Sequence, residues 1–143
     1  MEYWLPRQNF ASWINRLIST NLRCVGPTLI NQQLVYQPLR SADQLTCGVE
    51  FKQTPGSVRV AFGSHERNFS WSNGSQALKP YLFPSQKPQW SVRSSPGQTP
   101  TFVAAEPEFP KTVFIGARAC DCAALKIQDL HFLQEDCPDT YYQ

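Results

Sequence analysis

Residues 111–133, KTVFIGARACDCAALKIQDLHFL, carry the pattern that decides the predicted fold. The apolar run at 113–115 lies between Pro110 and Gly116, which is typical of a short buried strand. Beyond the glycine, apolar side chains recur at i, i+3, i+4, i+7 and i+10, the spacing of one helix face. These residues are Cys120, Ala123, Ala124, Ile127 and Leu130. The segment therefore predicts a strand, a glycine turn and a helix that packs this face on a sheet.

The turn between this strand and this helix is the predicted functional site. In βα units, binding and catalytic groups lie past the carboxyl end of the strand. Here that position holds Arg118, Cys120 and Asp121. Backbone N–H groups at the start of a helix favour an anion, and the thiolate is the form of cysteine that binds metal ions. Cys120 is therefore the first residue to weigh for a chemical role.

Length and composition predict a single α/β (α+β) domain with a mixed β-sheet and flanking helices. A chain of 143 residues can bury one core. The net charge of +2 does not suggest a nucleic-acid partner or an anionic membrane. The sequence contains no apolar run near the ~20 residues of a membrane span and no signal-peptide pattern. We expect a cytoplasmic protein, whose five cysteines are thiols or metal ligands and not disulfides.

The first forty residues predict a helix followed by a hairpin. The helix carries an apolar stripe that we expect to be buried against the sheet: Phe10, Trp13, Ile14, Leu17 and Ile18. Strands are predicted at 22–25 and 34–39, with Gly26-Pro27 as a turn after the first and residues 31–33 as the turn between them.

The middle of the chain predicts one further strand and a long loop. Residues 57–62 alternate as a strand does, after a turn signal at Pro55-Gly56. Residues 94–110 hold four prolines and a glycine and are predicted to be a loop. Cys24 and Cys47 lack neighbours at metal-ligand spacing, so we expect both to be small buried apolar residues.

An aromatic run at 81–84 follows Lys79 and lies between Trp71 and Trp90. We interpret this run as a wall of the core, the alternative being a lining beside a cofactor. Lys79 precedes the run and is a candidate for contact with an anionic group. His65 lies among charged residues in a polar segment, where we expect a solvated side chain.

The sequence Cys120-Asp121-Cys122 suggests a metal site, although one Cys-x-Cys is a weak signature. Two residues of a helix that are two positions apart point about 200° from each other and cannot bind one iron. Only a non-helical Cys120 would act together with Cys122. Asp121 also has a purely structural interpretation, as a carboxylate that stabilises the start of a helix. Both interpretations stay open at this point.

Residues 116–133 resemble the Gly-Val-Arg-Pro/Ala-Cys-Asp segment of the iron–sulfur β subunits of cytosolic nickel–iron hydrogenases (sulfhydrogenases), and the anaerobic sulfite reductase A subunit is similar. The likeness extends to WLPRQNFASWINRLI, TPGSVRV, LKPYLFPSQKPQW and PDTYY, and so covers essentially the whole chain. In this family a cysteine-rich dicluster ferredoxin region follows the last of these segments. We expect residues 1–143 to correspond to the amino-terminal domain alone.

The resemblance implies an electron-transfer role. Cys120 and Asp121 match the family's Cys–Asp pair and are the expected metal-binding residues, with Cys122, which departs from the family pattern, as a third candidate. The cofactor is a [4Fe–4S] cluster in the full assembly, and Arg118 and Lys79 are candidate cofactor-binding residues. The subunit would carry electrons between a hydrogenase or reductase subunit and a flavin- or NAD(P)-binding partner.

A cluster of this kind needs four ligands, mostly thiolates. Cys24, Cys47 and Cys137 are scattered, so the sequence gives no sign that a cluster is completed within this chain. A Gly-x-Gly-x-x-Gly loop is absent from the sequence, which leaves flavin or nicotinamide binding by this chain unsupported. The alternative hypothesis is a cluster-free protein-interaction module, and in either case the chain is at most a non-catalytic part of an oxidoreductase complex.

Overall fold

Three small β-sheets and three α-helices form a single domain in the part of the chain that the structure describes. The structure is a computed structural model and describes residues 3–71, 77–105, 110–134, 136, 138–139 and 142. The helices are α1 (Phe10–Ser19), α2 (Lys79–Leu82) and α3 (Ala119–Phe132). The strands are β1 (Arg23–Ile30), β2 (Gln33–Pro38), β3 (Val49–Thr54), β4 (Ser57–Phe62), β5 (Trp90–Arg93), β6 (Thr101–Ala104) and β7 (Thr112–Phe114). The predicted α+β class is confirmed. None of the described helices has the length and apolar character needed to cross a membrane.

The central sheet has the order β2-β1-β7 and is mixed, as predicted. Strand β1 is antiparallel to β2 and parallel to β7. The β1–β2 hairpin turns at Asn31 and Gln32, whose φ angles are 49° and 62°. Two successive residues with positive φ give the backbone twist that a two-residue hairpin turn favours. The parallel strand β7 then brings the start of α3 to the carboxyl end of this sheet.

Gly26 and Pro27 do not form the predicted turn, because both lie inside β1. Strand β7 pairs with β1 only as far as Val25, so Pro27 faces a side of β1 on which the described sheet has no further strand. Its missing N–H therefore removes no ladder hydrogen bond, and its carbonyl accepts the backbone N–H of Thr46 at 3.1 Å. A Cβ at position 26 would lie 2.8 Å from Cδ2 of Leu45. The absence of a side chain at position 26 therefore lets Leu45 pack directly on the backbone of β1.

In the second hairpin, β4 and its turn follow the prediction and β3 was not predicted, and the third hairpin was not predicted at all. Strands β3 and β4 pair in register across the Pro55-Gly56 turn. Strands β5 and β6 form an antiparallel hairpin, of which β6 lies inside the segment 94–110 that we predicted to be a loop. One face of this hairpin is apolar and exposed, and it consists of Trp90, Val92, Phe102 and Ala104.

Helix α1 buries its stripe around Ile14, which is fully inaccessible. Phe10, Leu17 and Ile18 lie three or four positions from it and pack against the same core cluster, which also holds Cys24, Leu39, Ala42 and Ile115. Trp13 does not follow the prediction, since 45% of its surface is exposed. It lies about 100° around the helix from Ile14, at the border of the buried face.

Replacing Ile14 by alanine is expected to lower the free energy of unfolding by about 2–5 kcal/mol, since the cavity forms at a fully buried site. Trp13→Ala is expected to cost clearly less, although tryptophan is larger, because nearly half of the ring is already in water. Urea unfolding of both variants with the parent chain measures the difference. A loss for Trp13→Ala as large as that for Ile14→Ala would contradict the exposed position of Trp13.

A second core cluster lies under the central sheet and is built around Trp71, of which 2% is exposed. Its other buried members are Val25, Tyr36, Val49 and Leu78. Tyr81 and Leu82 pack against this cluster, as expected for a wall of the core, whereas Phe83 of the same run is exposed. The hydroxyl of Tyr81 donates to the Tyr36 carbonyl at 2.8 Å.

Helix α3 does not bury the face that its apolar spacing predicts. Ile127 and Leu130 are 69% and 77% exposed, and Cys120, Ala123 and Ala124 are exposed with them. The half-buried stripe is instead Asp121, Leu125, Gln128 and Phe132, at spacings of four, three and four. Leu125 packs on the second core cluster and the Phe132 ring stacks on Phe83 at 4.9 Å. A leucine and a phenylalanine bury more apolar area than cysteine and alanine, so the larger side chains decide the orientation.

Candidate functional site

The turn from β7 to α3 requires a glycine. Ile115 directly follows β7 and is buried, and its N–H donates to the Val25 carbonyl at 2.8 Å. Gly116 then has φ of 82°, which favours glycine, and a Cβ there would lie 3.0 Å from the Phe69 ring. The Gly116 carbonyl accepts the hydroxyl of Tyr36 at 2.8 Å. The βα turn predicted from the sequence is therefore present, and the second core cluster fixes it.

Arg118 holds the turn against a distant loop. Its Nη2 donates to the carbonyl of Phe69 at 3.1 Å and to the carbonyl of Trp71. Its guanidinium carbon also lies 5.1 Å from the centroid of the Trp71 ring, within cation–π range. The half-buried guanidinium thus already has partners within the chain. Its position supports a role in placing the start of α3.

Asp121 caps the start of α3. Its Oδ2 accepts the backbone N–H of Arg118 at 2.9 Å, which satisfies a donor that the helix itself leaves free. The structural interpretation of this aspartate is therefore correct.

Cys120 and Cys122 both lie within α3 and both are exposed. Residues two positions apart on a helix diverge by about 200°, so the two thiols point to opposite sides. This arrangement excludes joint binding of a single iron by the pair. Cys120 occupies the first turn of the helix, next to the anchored Arg118.

The remaining described cysteines do not extend the site. Cys24 is buried, and burial raises the pKa of its thiol above the ordinary value. Cys47 is exposed, contrary to the prediction, because it lies just before β3. Cys137 lies outside the described residues. Among the residues that the structure places, no three His, Cys, Asp or Glu side chains come together in a metal-binding group.

Lys79 is separated in the chain from the βα turn and begins α2, with an exposed side chain. The helix it opens packs on the core through Tyr81 and Leu82. This position leaves the lysine ammonium group at the surface. The structure records no contact that joins Lys79 to Arg118 or Cys120 in the described part of the chain.

His65 is not the solvated side chain that the sequence predicts. Its Nε2 lies 2.5 Å from Oε1 of Glu50, and its Nδ1 accepts the backbone N–H of Arg67 at 3.2 Å. Both ring nitrogens therefore have partners, so the imidazole has no free nitrogen to act as a general base. Glu50 lies in β3 and His65 fifteen residues later, past the end of β4, so local sequence patterns do not show this contact.

Compared with known protein families, with curated proteins and with solved structures, the chain has no match in any of the three.

Proposed function

We propose that this chain is the amino-terminal scaffold domain of an iron–sulfur electron-transfer subunit in a cytoplasmic complex similar to the cytosolic nickel–iron hydrogenases or the anaerobic sulfite reductase. The observation that carries the proposal is the position of Cys120. It is an exposed cysteine in the first turn of a helix, at the place where the resemblance puts the family's Cys–Asp pair. The scaffold that holds it, from Gly116 through Arg118, is anchored on the core.

In this proposal the three residues of Cys120-Asp121-Cys122 have different roles, because their side chains point in different directions. Cys120 supplies one thiolate ligand of a [4Fe–4S] cluster, which when bound supplies one-electron transfer. Asp121 shapes the turn through its bond to the Arg118 N–H and is the weaker candidate for a ligand. Cys122 faces away and does not share an iron with Cys120. The other ligands come from the ferredoxin region or from partner subunits.

The same proposal gives separate roles to the two cations. Arg118 positions Cys120, because its guanidinium is bound to the carbonyls of Phe69 and Trp71. Lys79, exposed at the start of α2, is available to an anionic group of a partner or cofactor. Electrons pass between the hydrogenase or reductase subunit and the flavin- or NAD(P)-binding partner through this subunit's clusters.

In the full-length subunit, Cys120→Ser is expected to lower the iron content or shift the paramagnetic resonance signal of one cluster, because a serine oxygen is a poorer iron ligand than a thiolate. Cys122→Ser is the matched control, with the same exchange two residues away on the opposite side of α3, and should leave iron and spectrum unchanged. Iron analysis and resonance spectra of anaerobically purified protein measure both. If Cys120→Ser keeps every cluster and its spectrum is unaltered, the assignment of Cys120 as a ligand is wrong.

The exposed apolar side of α3 favours a second candidate, a cluster-free interaction module. Ile127 and Leu130 are large and face solvent on the described surface. Under this alternative, the anaerobically purified protein is colourless and all five thiols of residues 1–143 can be titrated. A brown protein whose absorption disappears on chelation supports the electron-transfer role instead.

A further inference from the structure

An open surface pocket of about 560 Å³ lies between the start of α1 and the loop that follows β4. Its size is within the range of small-molecule binding sites. It is lined by Leu5, Arg7, Phe10, Arg67, Asn68, Phe69 and Ser70. Two guanidinium groups, two phenyl rings and two short polar side chains thus surround one space. We call it the Arg67 pocket.

Arg67 supplies an uncompensated positive charge to this pocket. Its guanidinium has no hydrogen-bond or ion-pair partner among the residues that the structure describes. Arg7, the second cation, lies 3.6 Å from a carboxylate oxygen of Glu66 and also donates to the Glu66 carbonyl. The planar fork of an arginine matches phosphate and carboxylate groups, which it binds through paired N–H donors. The free charge therefore favours an anionic ligand.

The aromatic part of the pocket lining is held in place by contacts within the chain. The rings of Phe10 and Phe69 meet edge to face with centroids 6.0 Å apart. Phe69 has φ of 68°, an uncommon conformation for a bulky residue, and such strain is concentrated at binding sites. Its ring packs against Trp71 at 5.9 Å, and its carbonyl accepts from Arg118. These contacts hold the ring of Phe69 in the lining that it shares with Arg67.

We infer that the Arg67 pocket binds a small organic anion in which a phosphate or carboxylate group is attached to a planar ring. The anionic group binds Arg67, and the ring packs on Phe10 and Phe69. The Asn68 side chain borders the pocket and offers hydrogen bonds to the remainder of the ligand, whereas the Ser70 hydroxyl already donates to the Val49 carbonyl at 2.8 Å. Cys120 does not line this pocket, although Phe69 also contacts the β7–α3 turn through Arg118.

The test is a set of binding titrations on the 143-residue chain, in which binding is measured by calorimetry and by backbone amide NMR shifts. Phenyl phosphate and benzoate carry both the ring and the anion, inorganic phosphate and acetate carry only the anion, and phenol carries only the ring. The ring-bearing anions are expected to bind at least about tenfold more tightly than either partial probe, with shifts at residues 67–70. Comparison of phenyl phosphate with benzoate shows which anionic group the pocket prefers.

Arg67→Gln is expected to weaken binding of the preferred probe about tenfold or more, since it removes a charged hydrogen-bond donor. Arg59→Gln is the matched control, because Arg59 is an exposed arginine of β4 that does not line the pocket. Phe10→Leu should weaken the ring-bearing probes and leave inorganic phosphate unchanged. Equal losses in the two arginine variants, equal affinity for ring-bearing and ring-free anions, or no binding of any probe overturns the inference.

Discussion

Trp71→Ala is expected to lower the free energy of unfolding by about 3–5 kcal/mol, the range for removal of a large buried aromatic side chain. The ring is almost fully buried at the centre of the second core cluster. It meets the rings of Tyr36 and Phe69 edge to face, at 6.4 and 5.9 Å, and lies under the guanidinium of Arg118. Chemical unfolding followed by circular dichroism measures the loss.

Trp71→Phe is the control for this substitution. It keeps an aromatic ring in the cluster, and it removes the indole Nε1–H, which is buried without a hydrogen-bond partner in the described residues. The loss should therefore be much smaller than for alanine. An alanine variant as stable as the parent would mean that the ring does not occupy the core.

Arg118→Met is expected to lower the free energy of unfolding by about 2–3 kcal/mol, the scale of hydrogen bonds made by a charged group. Methionine fills a similar volume but leaves the carbonyls of Phe69 and Trp71 without their donor. It also removes the cation from the face of the Trp71 ring. Thermal and urea unfolding of the variant measure the effect.

Two variants accompany this measurement. Arg118→Lys keeps the charge but has no planar fork, so it should recover only part of the lost stability. Arg16→Met makes the same exchange at an exposed position of α1 and should have almost no effect. If Arg118→Met and Arg16→Met are equally stable, the contacts of Arg118 contribute nothing to the fold.

Local sequence patterns predicted the elements whose cause is local. The apolar run of β7, the glycine after it and the helix α3 all appear close to their predicted positions. Pro55-Gly56 forms the predicted turn, because its two residues favour turn geometry in any context. The stripe of α1 is buried around Ile14, because its apolar spacing is strong and its opposite face is polar.

Other predictions failed where the three-dimensional neighbours decide the outcome. Gly26-Pro27 has the composition of a turn, but β1 runs through it, because pairing with β2 continues to Ile30 while pairing with β7 has already ended at Val25. Helix α3 has its regular apolar spacing on the exposed face, and only the tertiary contacts show that Leu125, on the second core cluster, and Phe132, on Phe83, are the half-buried pair.

The candidate site was only partly predictable for the same reason. Cys120 and Asp121 were placed correctly at the start of a helix, since the β7–α3 pattern is continuous in sequence. The partners of Arg118 lie 47 and 49 residues earlier in the chain, so local patterns contain no sign of them. The Arg67 pocket likewise combines residues from α1 and from the loop before Trp71.

The β5–β6 hairpin is expected to be much less stable than the core of the domain. Its strands pair with each other and with no other strand of the described sheets, and most of its side chains face solvent. A lone two-stranded hairpin is marginally stable in water, so its amide hydrogens exchange through local openings of small free energy. The amides of β1, which lies between two strands and beside both core clusters, exchange when the whole domain opens. An unfolding midpoint therefore reports the core, and the hairpin with its exposed tryptophan opens and closes many times while the rest of the chain stays folded.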